Sequence, residues 1–209
     1  MLARLQPRVA PTRASRPAPA SHRSVAPRSR VPVAERTADD YARLLRESSD
    51  SEDWPSTLEL LTELKVLKLN LEPAALEPAI VSFARGGQWK RAEGLFRELQ
   101  AAGHAPAGET TTALVAGLAA AEQGQRAAAL LDETAAAGGG MGALGPAYNV
   151  VVRALARQGQ LDESYALITR LMKADVVVDG VTFTSVATCC MNAERTDLAE
   201  ELLEMRDYL

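Results

Sequence analysis

Apolar residues recur at helical spacing through residues 145–179 and predict two short helices joined by a turn. Gly159 separates the two halves, because a glycine at this point of an apolar pattern ends a helix. A hairpin of this size cannot bury both apolar faces alone, so we expect similar hairpins on either side of it. The faces comprise Tyr148, Val151, Val152 and Leu155 in the first helix, and Ser164, Tyr165, Ile168, Leu171 and Met172 in the second.

The same pattern occurs five times along the chain. In each copy the second helix has an apolar pair preceded by a small residue, and the small residues step by 35, 35, 37 and 35 positions. Trp54 and Trp89 also lie 35 residues apart, in one register. A fixed period in this range predicts an all-α fold, a solenoid of stacked helix-turn-helix repeats. The small residues are Thr57, Ala92, Ala127, Ser164 and Ala199.

The third repeat is two residues longer than the others. The extra residues fall either in the glycine-rich stretch GGGMGALG after its second helix or in its hairpin turn, where QGQ at 123–125 aligns with QGQ at 158–160. The incomplete fifth repeat leaves an apolar end uncovered, so we expect either a partner or self-association at the C-terminal repeat. We place one helical-repeat domain at 35–209, with repeats at 38–72, 73–107, 108–144, 145–179 and, in part, 180–209.

Two stretches resemble the pentatricopeptide repeat, a 35-residue helical motif. PAYNVVVRALARQGQLDESYALITRLMKADVVVDGVTF has the Tyr-Asn opening at Tyr148 and Asn149, the central Gly159 and the final Asp179. The 34-residue tetratricopeptide repeat is the alternative, and the 35-residue step together with these residues favours the pentatricopeptide repeat. The resemblance implies a right-handed α-solenoid that binds single-stranded RNA on its concave first-helix face. GGQWKRAEGLFRELQAAGHAP matches through Gly87, Ala92, Leu95, Phe96, Gly103 and Pro106.

The family resemblance also implies a set of base contacts. The fifth and last residues of a repeat read one RNA base, and the second residue packs on it. In the fourth repeat the reading pair is Asn149 and Asp179, which resembles a uracil reader in which the carboxylate orients the amide. The alternative interpretation of both residues is helix capping. The other candidate contacts are Pro146 and Val181 at the second position, and Thr112 and Thr184 at the fifth.

Phosphate contacts are expected from arginines near the end of the first helices. Arg85 and Arg157 occupy the position where the family often has a phosphate-contacting Lys or Arg, and the alternative is that they are solvated helix charges. Asp50, Ala120 and Asn192 occupy this position in the other repeats, so the basic stripe is interrupted. Residues 35–209 contain 16 basic and 27 acidic residues, a formal net charge of −11, which disfavours binding of phosphates.

Residues 1–34 differ from the rest of the chain. They contain seven Arg and no Lys, Asp or Glu, and Pro, Ser and Ala supply most of the remainder. This composition predicts disorder and is typical of an organelle transit peptide. The repeated Pro and Ser favour the chloroplast over the mitochondrion. The alternative is a basic tail that binds nucleic acid directly.

No catalytic, cofactor or metal site is predicted. Cys189 and Cys190 are adjacent, His22 and His104 are isolated, and no phosphate-binding loop occurs. No apolar run approaches the ~20 residues that span a membrane, so no membrane partner is expected. We therefore expect an organelle protein that binds short, U-containing single-stranded RNA within a larger ribonucleoprotein assembly and acts in transcript processing, stability or translation. The alternative is a scaffold that binds a protein partner or a ribosomal assembly without sequence-specific RNA recognition.

Overall fold

The structure, a computed structural model, describes residues 36–207, so the transit peptide predicted at 1–34 lies outside the described residues. Between residues 36 and 207 the chain forms ten α-helices and no β-strand. A π-helical turn, Ala135–Gly139, follows the sixth helix. The helices are α1 (Ala38–Asp50), α2 (Trp54–Leu67), α3 (Pro73–Arg85), α4 (Trp89–Ala101), α5 (Gly108–Ala120), α6 (Gly124–Thr134), α7 (Gly145–Arg157), α8 (Leu161–Lys173), α9 (Gly180–Asn192) and α10 (Thr196–Asp207).

The helices form five consecutive pairs in two layers. In every pair the second helix begins 16 residues after the first. The first helices pack against one another in the order α1, α3, α5, α7 and α9. Consecutive second helices pack less closely, and grooves separate α2 from α4, α4 from α6 and α6 from α8. Because the first helices lie closer together than the second helices, the first helices form the inner, concave layer.

Both turns of a repeat depend on a residue with positive φ. A left-handed residue at the turn ends a helix without a long loop, and glycine adopts this conformation at no steric cost. For other L-residues the conformation costs about 1–2 kcal/mol. At the turn within each pair φ is 55–79°, and the residues are Glu52, Gly87, Glu122, Gly159 and Glu194. At the turn after the second helix the residues are Lys68, Gly103, Gly138 and Asp175.

The two extra residues of the third repeat lie after α6. The turn between α5 and α6 has the same length as the other four, which excludes the alternative that places the insertion in the hairpin turn. After α6 the chain instead makes the π-helical turn, Ala135–Gly139, and a further residue with positive φ, Gly140. Glycines accommodate these irregular conformations.

The apolar pairs that define the sequence pattern form the core. Leu114 and Val115 in α5 and Val151 and Val152 in α7 are fully buried. Trp54 lies against Gly86 of the next repeat, where a Cβ atom would come within 2.3 Å of the indole. Glycine at this position is therefore required for the indole to pack between the first two repeats.

Charged side chains tie consecutive second helices together on the outer layer. Arg126 of α6 pairs with Glu93 of α4 at 2.8 Å, and Arg97 of α4 pairs with Glu133 of α6 at 2.6 Å. Arg126 also lies over the ring of Trp89, 5.4 Å from its centroid. Further along, Arg170 pairs with Asp132, Gln125 donates to Glu163, Arg195 pairs with Asp162, and Tyr165 donates to Glu201.

Replacement of Gly159 by Ala should destabilise the protein through backbone strain alone. Its φ is +79° and a Cβ atom there meets nothing within 4 Å. We expect the free energy of unfolding to fall by about 1–2 kcal/mol, measured by urea denaturation followed by circular dichroism.

Gly94→Ala is the matched control. A Cβ atom at Gly94 would also meet nothing within 4 Å, but this glycine lies inside α4 with ordinary helical φ. Alanine should therefore stabilise the protein by up to about 1 kcal/mol. Equal effects of the two substitutions would contradict the role assigned to the left-handed turn.

Candidate nucleic-acid interface

The candidate RNA surface is the concave face of the first helices. On this face the fifth residue of each repeat lies one helical turn from the exposed second residue. The structure places Pro146 and Val181 on it as exposed side chains, Val181 with 69% of its surface accessible. Both side chains are therefore accessible, and their packing on a base stays a prediction.

Asn149 is held at the base of this face. It lies inside α7 and only 6% of its surface is accessible, so it does not cap the helix. Its Nδ2 atom donates to the backbone carbonyl of Val177 at 3.3 Å. Its Oδ1 atom is buried and has no hydrogen-bond partner among the described residues. An unpaired buried acceptor is destabilising by about 1–3 kcal/mol. A donor from outside the chain reaches this oxygen only if the amide turns toward the surface, because the atom is closed to solvent.

Asp179 does cap a helix. It is the N-cap residue of α9, and its Oδ1 atom accepts from the backbone N–H of Thr182 at 2.6 Å. Its Oδ2 atom lies 3.3 Å from Arg153, which also donates to the Thr182 hydroxyl at 2.6 Å. Burial opposes the charge, but the hydrogen bonds from Thr182 and the charge of Arg153 outweigh it and lower the pKa of Asp179.

The structure does not join the two residues of the reading pair. Within residues 36–207 no hydrogen bond connects Asp179 with Asn149, and the Val177 carbonyl takes the place that the sequence assigns to the carboxylate. The asparagine amide is therefore fixed by the backbone before α9, and the aspartate by the start of α9. Arg153 and Thr182 join this cluster without any signal in the sequence that marks them.

Glu77, the fifth residue of the second repeat, forms a similar cluster. Its carboxylate accepts from the Thr110 hydroxyl and from the backbone N–H of Ala107 at 3.0 Å, and its Oε1 atom lies 2.7 Å from His104 Nε2. Burial opposes the charge of Glu77, but these hydrogen bonds outweigh it and lower its pKa. The carboxylate therefore ties α3 to the start of α5, and it is not free to contact a base.

The two predicted threonines are bonded to their own helices. The Thr112 hydroxyl donates to the carbonyl of Gly108, and the Thr184 hydroxyl donates to the carbonyl of Gly180. Each hydroxyl oxygen can still accept one further hydrogen bond. Each threonine can therefore offer a base only a hydrogen-bond acceptor.

The two arginines predicted to contact phosphates lie apart from each other on the concave face. Arg85 and Arg157 are exposed in the last turns of α3 and α7. Arg157 Nε donates to the Arg153 carbonyl at 3.2 Å, whereas Arg85 has no hydrogen bond or ion pair among the described residues. Between them a groove of about 690 Å³ is lined by the small residues Ala113, Ala116, Gly117 and Ala120 of α5. The basic surface is therefore interrupted at the third repeat.

The described residues offer no grouping of His, Cys, Asp and Glu suited to a metal ion. None of the helices between residues 36 and 207 combines the length and the apolar character that crossing a membrane requires.

The comparison with protein families identifies the chain. A family described as pentatricopeptide repeat-containing protein matches residues 56–171, more than half of the 209 residues. The chain belongs to the pentatricopeptide repeat family. The alternative assignment to tetratricopeptide repeats is therefore wrong. A search of curated proteins finds no match.

Solved pentatricopeptide repeat (PPR) structures share the fold. The PPR domain of Arabidopsis thaliana protein-only RNase P 1 in complex with tRNA superimposes with a TM-score of 0.65 at 16% identity, over 78% of this chain and 86% of that domain. The nuclear protein-only RNase P 2 of the same plant gives 0.71 at 13% identity, and 80% of this chain aligns with 38% of that protein. Maize PPR10 gives 0.58 at 23% identity, and 82% of this chain aligns with 24% of it. The predicted right-handed α-solenoid is confirmed. The chain spans well under half the length of the latter two proteins.

Replacement of Glu77 by Gln should make stability less dependent on pH. The folded pKa of Glu77 is lowered, so its stabilising effect is complete above the unfolded value of about 4.3 and is lost as the pH falls through the folded value. At pH 7 we expect Glu77→Gln to lower the free energy of unfolding by about 1–3 kcal/mol, because charge-assisted hydrogen bonds are lost.

The difference between the two proteins should then shrink as the pH is lowered from about 5 to 3. Urea midpoints measured across this range give the difference. A difference that stays constant down to pH 3 would contradict the assignment of the charged carboxylate to this junction.

Proposed function

We propose that the chain is a PPR protein that binds short single-stranded RNA on its concave first-helix face. The observation that carries the proposal is the buried Oδ1 atom of Asn149, which has no hydrogen-bond partner among the described residues, on a helix layer where Pro146 and Val181 are exposed. A uracil offers a ring N–H donor to such an acceptor, and Val181 offers an apolar surface for the ring. Support also comes from two structural neighbours, one in complex with tRNA and one, maize PPR10, in complex with an 18-nucleotide psaJ RNA element.

Asn149→Ala should reduce the preference for uracil. Loss of one base-edge hydrogen bond corresponds to about 1–3 kcal/mol, so the ratio of affinities for a U-rich and an A-rich RNA should fall about tenfold. Fluorescence anisotropy of the full chain with both RNAs measures the ratio. The ratio is more informative than the affinity, because the seven arginines of residues 1–34 also attract RNA.

Asn192→Ala is the matched control. Asn192 is an exposed asparagine at the end of α9 and receives the same substitution, so the U preference should not change. Equal preferences of the wild type and Asn149→Ala would show that Asn149 reads no base.

Arg85→Ala and Arg157→Ala should weaken binding to both RNAs alike. A lost phosphate contact reduces the slope of log affinity against log salt by about 0.7 per arginine for a single strand. A salt titration of each variant between about 50 and 200 mM measures the slope. An unchanged slope would mean that these side chains are only solvated helix charges.

We further propose that the protein acts in an organelle, in transcript processing, stability or translation. The support is the composition of residues 1–34, which is typical of a transit peptide and favours the chloroplast over the mitochondrion. An array with about one base per repeat spans roughly five nucleotides, which is too short to specify a unique transcript. We therefore place the protein in a larger ribonucleoprotein assembly.

The second candidate function is a scaffold for a protein partner or a ribosomal assembly. It is favoured by the acidic balance of residues 35–209 and by the interrupted arginine positions of the concave face. Self-association through the C-terminal repeat belongs to this proposal. Its support is the exposure of Met191, half of whose surface is accessible, at a helix position that Ala84 and Ala156 occupy as buried residues. Absence of RNA binding by the wild type at low salt would favour the scaffold.

A further inference from the structure

The groove between α2 and α4 has an open leucine floor. It encloses about 760 Å³ on the outer, second-helix layer, and α3 forms its base. We call it the leucine groove. Six partly buried leucines line it: Leu58, Leu61, Leu69, Leu71, Leu76 and Leu95.

Apolar residues at the same helix positions are buried in the third and fourth repeats. Leu95 is only partly buried, whereas its counterparts Leu130 and Leu167 are 1% and 6% exposed. Leu61 is also partly buried, whereas its counterparts Leu131 and Ile168 are fully buried. The buried core of the described residues divides into two clusters near the same place, and the smaller cluster contains residues of the first repeat together with Ala79 of α3. The leucine groove is therefore a local departure from the packing of this array.

The leucine groove lacks the ion pairs that cross the next groove along the array. Between α4 and α6, Glu93 and Arg97 reach across the groove to ion partners. Leu58 and Thr62 occupy the corresponding positions of α2, and no ion pair of the described residues joins α2 to α4. Arg91 of α4 instead donates a hydrogen bond to Gln88, three residues earlier, and its guanidinium lies over the Trp54 ring. The apolar floor is left uncovered.

The rim of the leucine groove is basic, although residues 35–209 as a whole are acidic. Lys65, Lys68 and Arg91 line it, against the single acid Glu98. Residues 35–209 as a whole have 27 acidic and 16 basic residues. Charge complementarity therefore favours an acidic partner, and the leucine floor favours one with apolar side chains.

We propose that the leucine groove binds an amphipathic α-helix of a partner protein, with a stripe of leucine-sized side chains flanked by Asp and Glu. A helix fits because the site lies between two helices and offers no strand edge, and its apolar side chains at i, i+3, i+4 and i+7 would reach the floor. RNA is disfavoured because the one aromatic residue of the lining, Phe83, is 2% exposed, so the floor offers leucines and no open aromatic ring for stacking. The groove lies on the second helices, so binding there is independent of RNA binding on the first helices.

Gly94 offers a place for a bulky side chain at the groove. It lies on the wall that the leucine groove shares with the groove between α4 and α6. A Cβ atom there meets nothing within 4 Å, so Gly94→Trp adds bulk beside the leucine groove without displacing the backbone, and Lys65→Glu/Lys68→Glu changes this groove alone. The probe is a fluorescein-labelled synthetic helix of about 18 residues, five turns, with a leucine stripe and glutamate flanks. Two comparison peptides carry lysine flanks or a shuffled leucine order. Anisotropy with the full chain should show the first peptide binding at least about tenfold more tightly than either comparison peptide.

Gly94→Trp and Lys65→Glu/Lys68→Glu should each weaken binding of the glutamate peptide about tenfold or more. Ala129→Trp is the matched control, because Ala129 holds the same position on α6 and the groove before it is crossed by ion pairs. It should bind the peptide as the wild type does. Circular dichroism establishes that every variant is folded.

Equal binding of the three peptides, or equal binding by Gly94→Trp and the wild type, would overturn the proposal. Light scattering tests whether a second copy of this chain occupies the groove. A dimer that forms in the wild type and is absent in Gly94→Trp would show that a second copy of this chain fills the groove, and this result would also overturn the proposal of a foreign partner.

Discussion

Each helix pair in this protein has apolar side chains on two faces, and a pair can bury only one of them within itself. The other face is buried by the next pair, as where α5 packs against α7 and both Val115 and Val152 are fully buried. This mutual burial requires a constant step, and the left-handed residues at Gly87 and Gly159 keep the turns short enough to maintain it. The π-helical turn after α6 absorbs the one irregular step without interrupting the stack.

The same stacking determines the partners of the residues that we propose to face RNA bases. Glu77 and Asp179 lie where consecutive first helices meet, and both carboxylates are engaged by the helix that follows. Asn149 differs, because its amide is fixed by the Val177 carbonyl while its oxygen remains unpaired. One position of the concave face thus has an acceptor that the described residues do not use, and our proposal assigns this acceptor to a base.

The sequence predicts the fold well because the fold follows from spacing. Columns such as Leu95–Phe96 and Leu130–Leu131 repeat at a step that only a stacked array explains, and the helix pairs and their order are confirmed. Side-chain partners are harder to predict, because they lie far apart in the chain. The bond from His104 to Glu77 crosses 27 residues, and the bond from Arg153 to Thr182 crosses 29. The leucine groove has no local signal either, since Leu95 and Leu130 are the same residue in the same register and only the opposite helix wall differs.

The central claim, that RNA lies on the first helices, is tested most directly by photocrosslinking. A short RNA that contains 4-thiouridine is irradiated with the full chain, and the crosslinked peptides are identified by mass spectrometry. The account predicts crosslinks within α7 and α9, near Pro146 and Val181, that decrease in Asn149→Ala. Crosslinks confined to the second helices, or to residues 1–34, would contradict it.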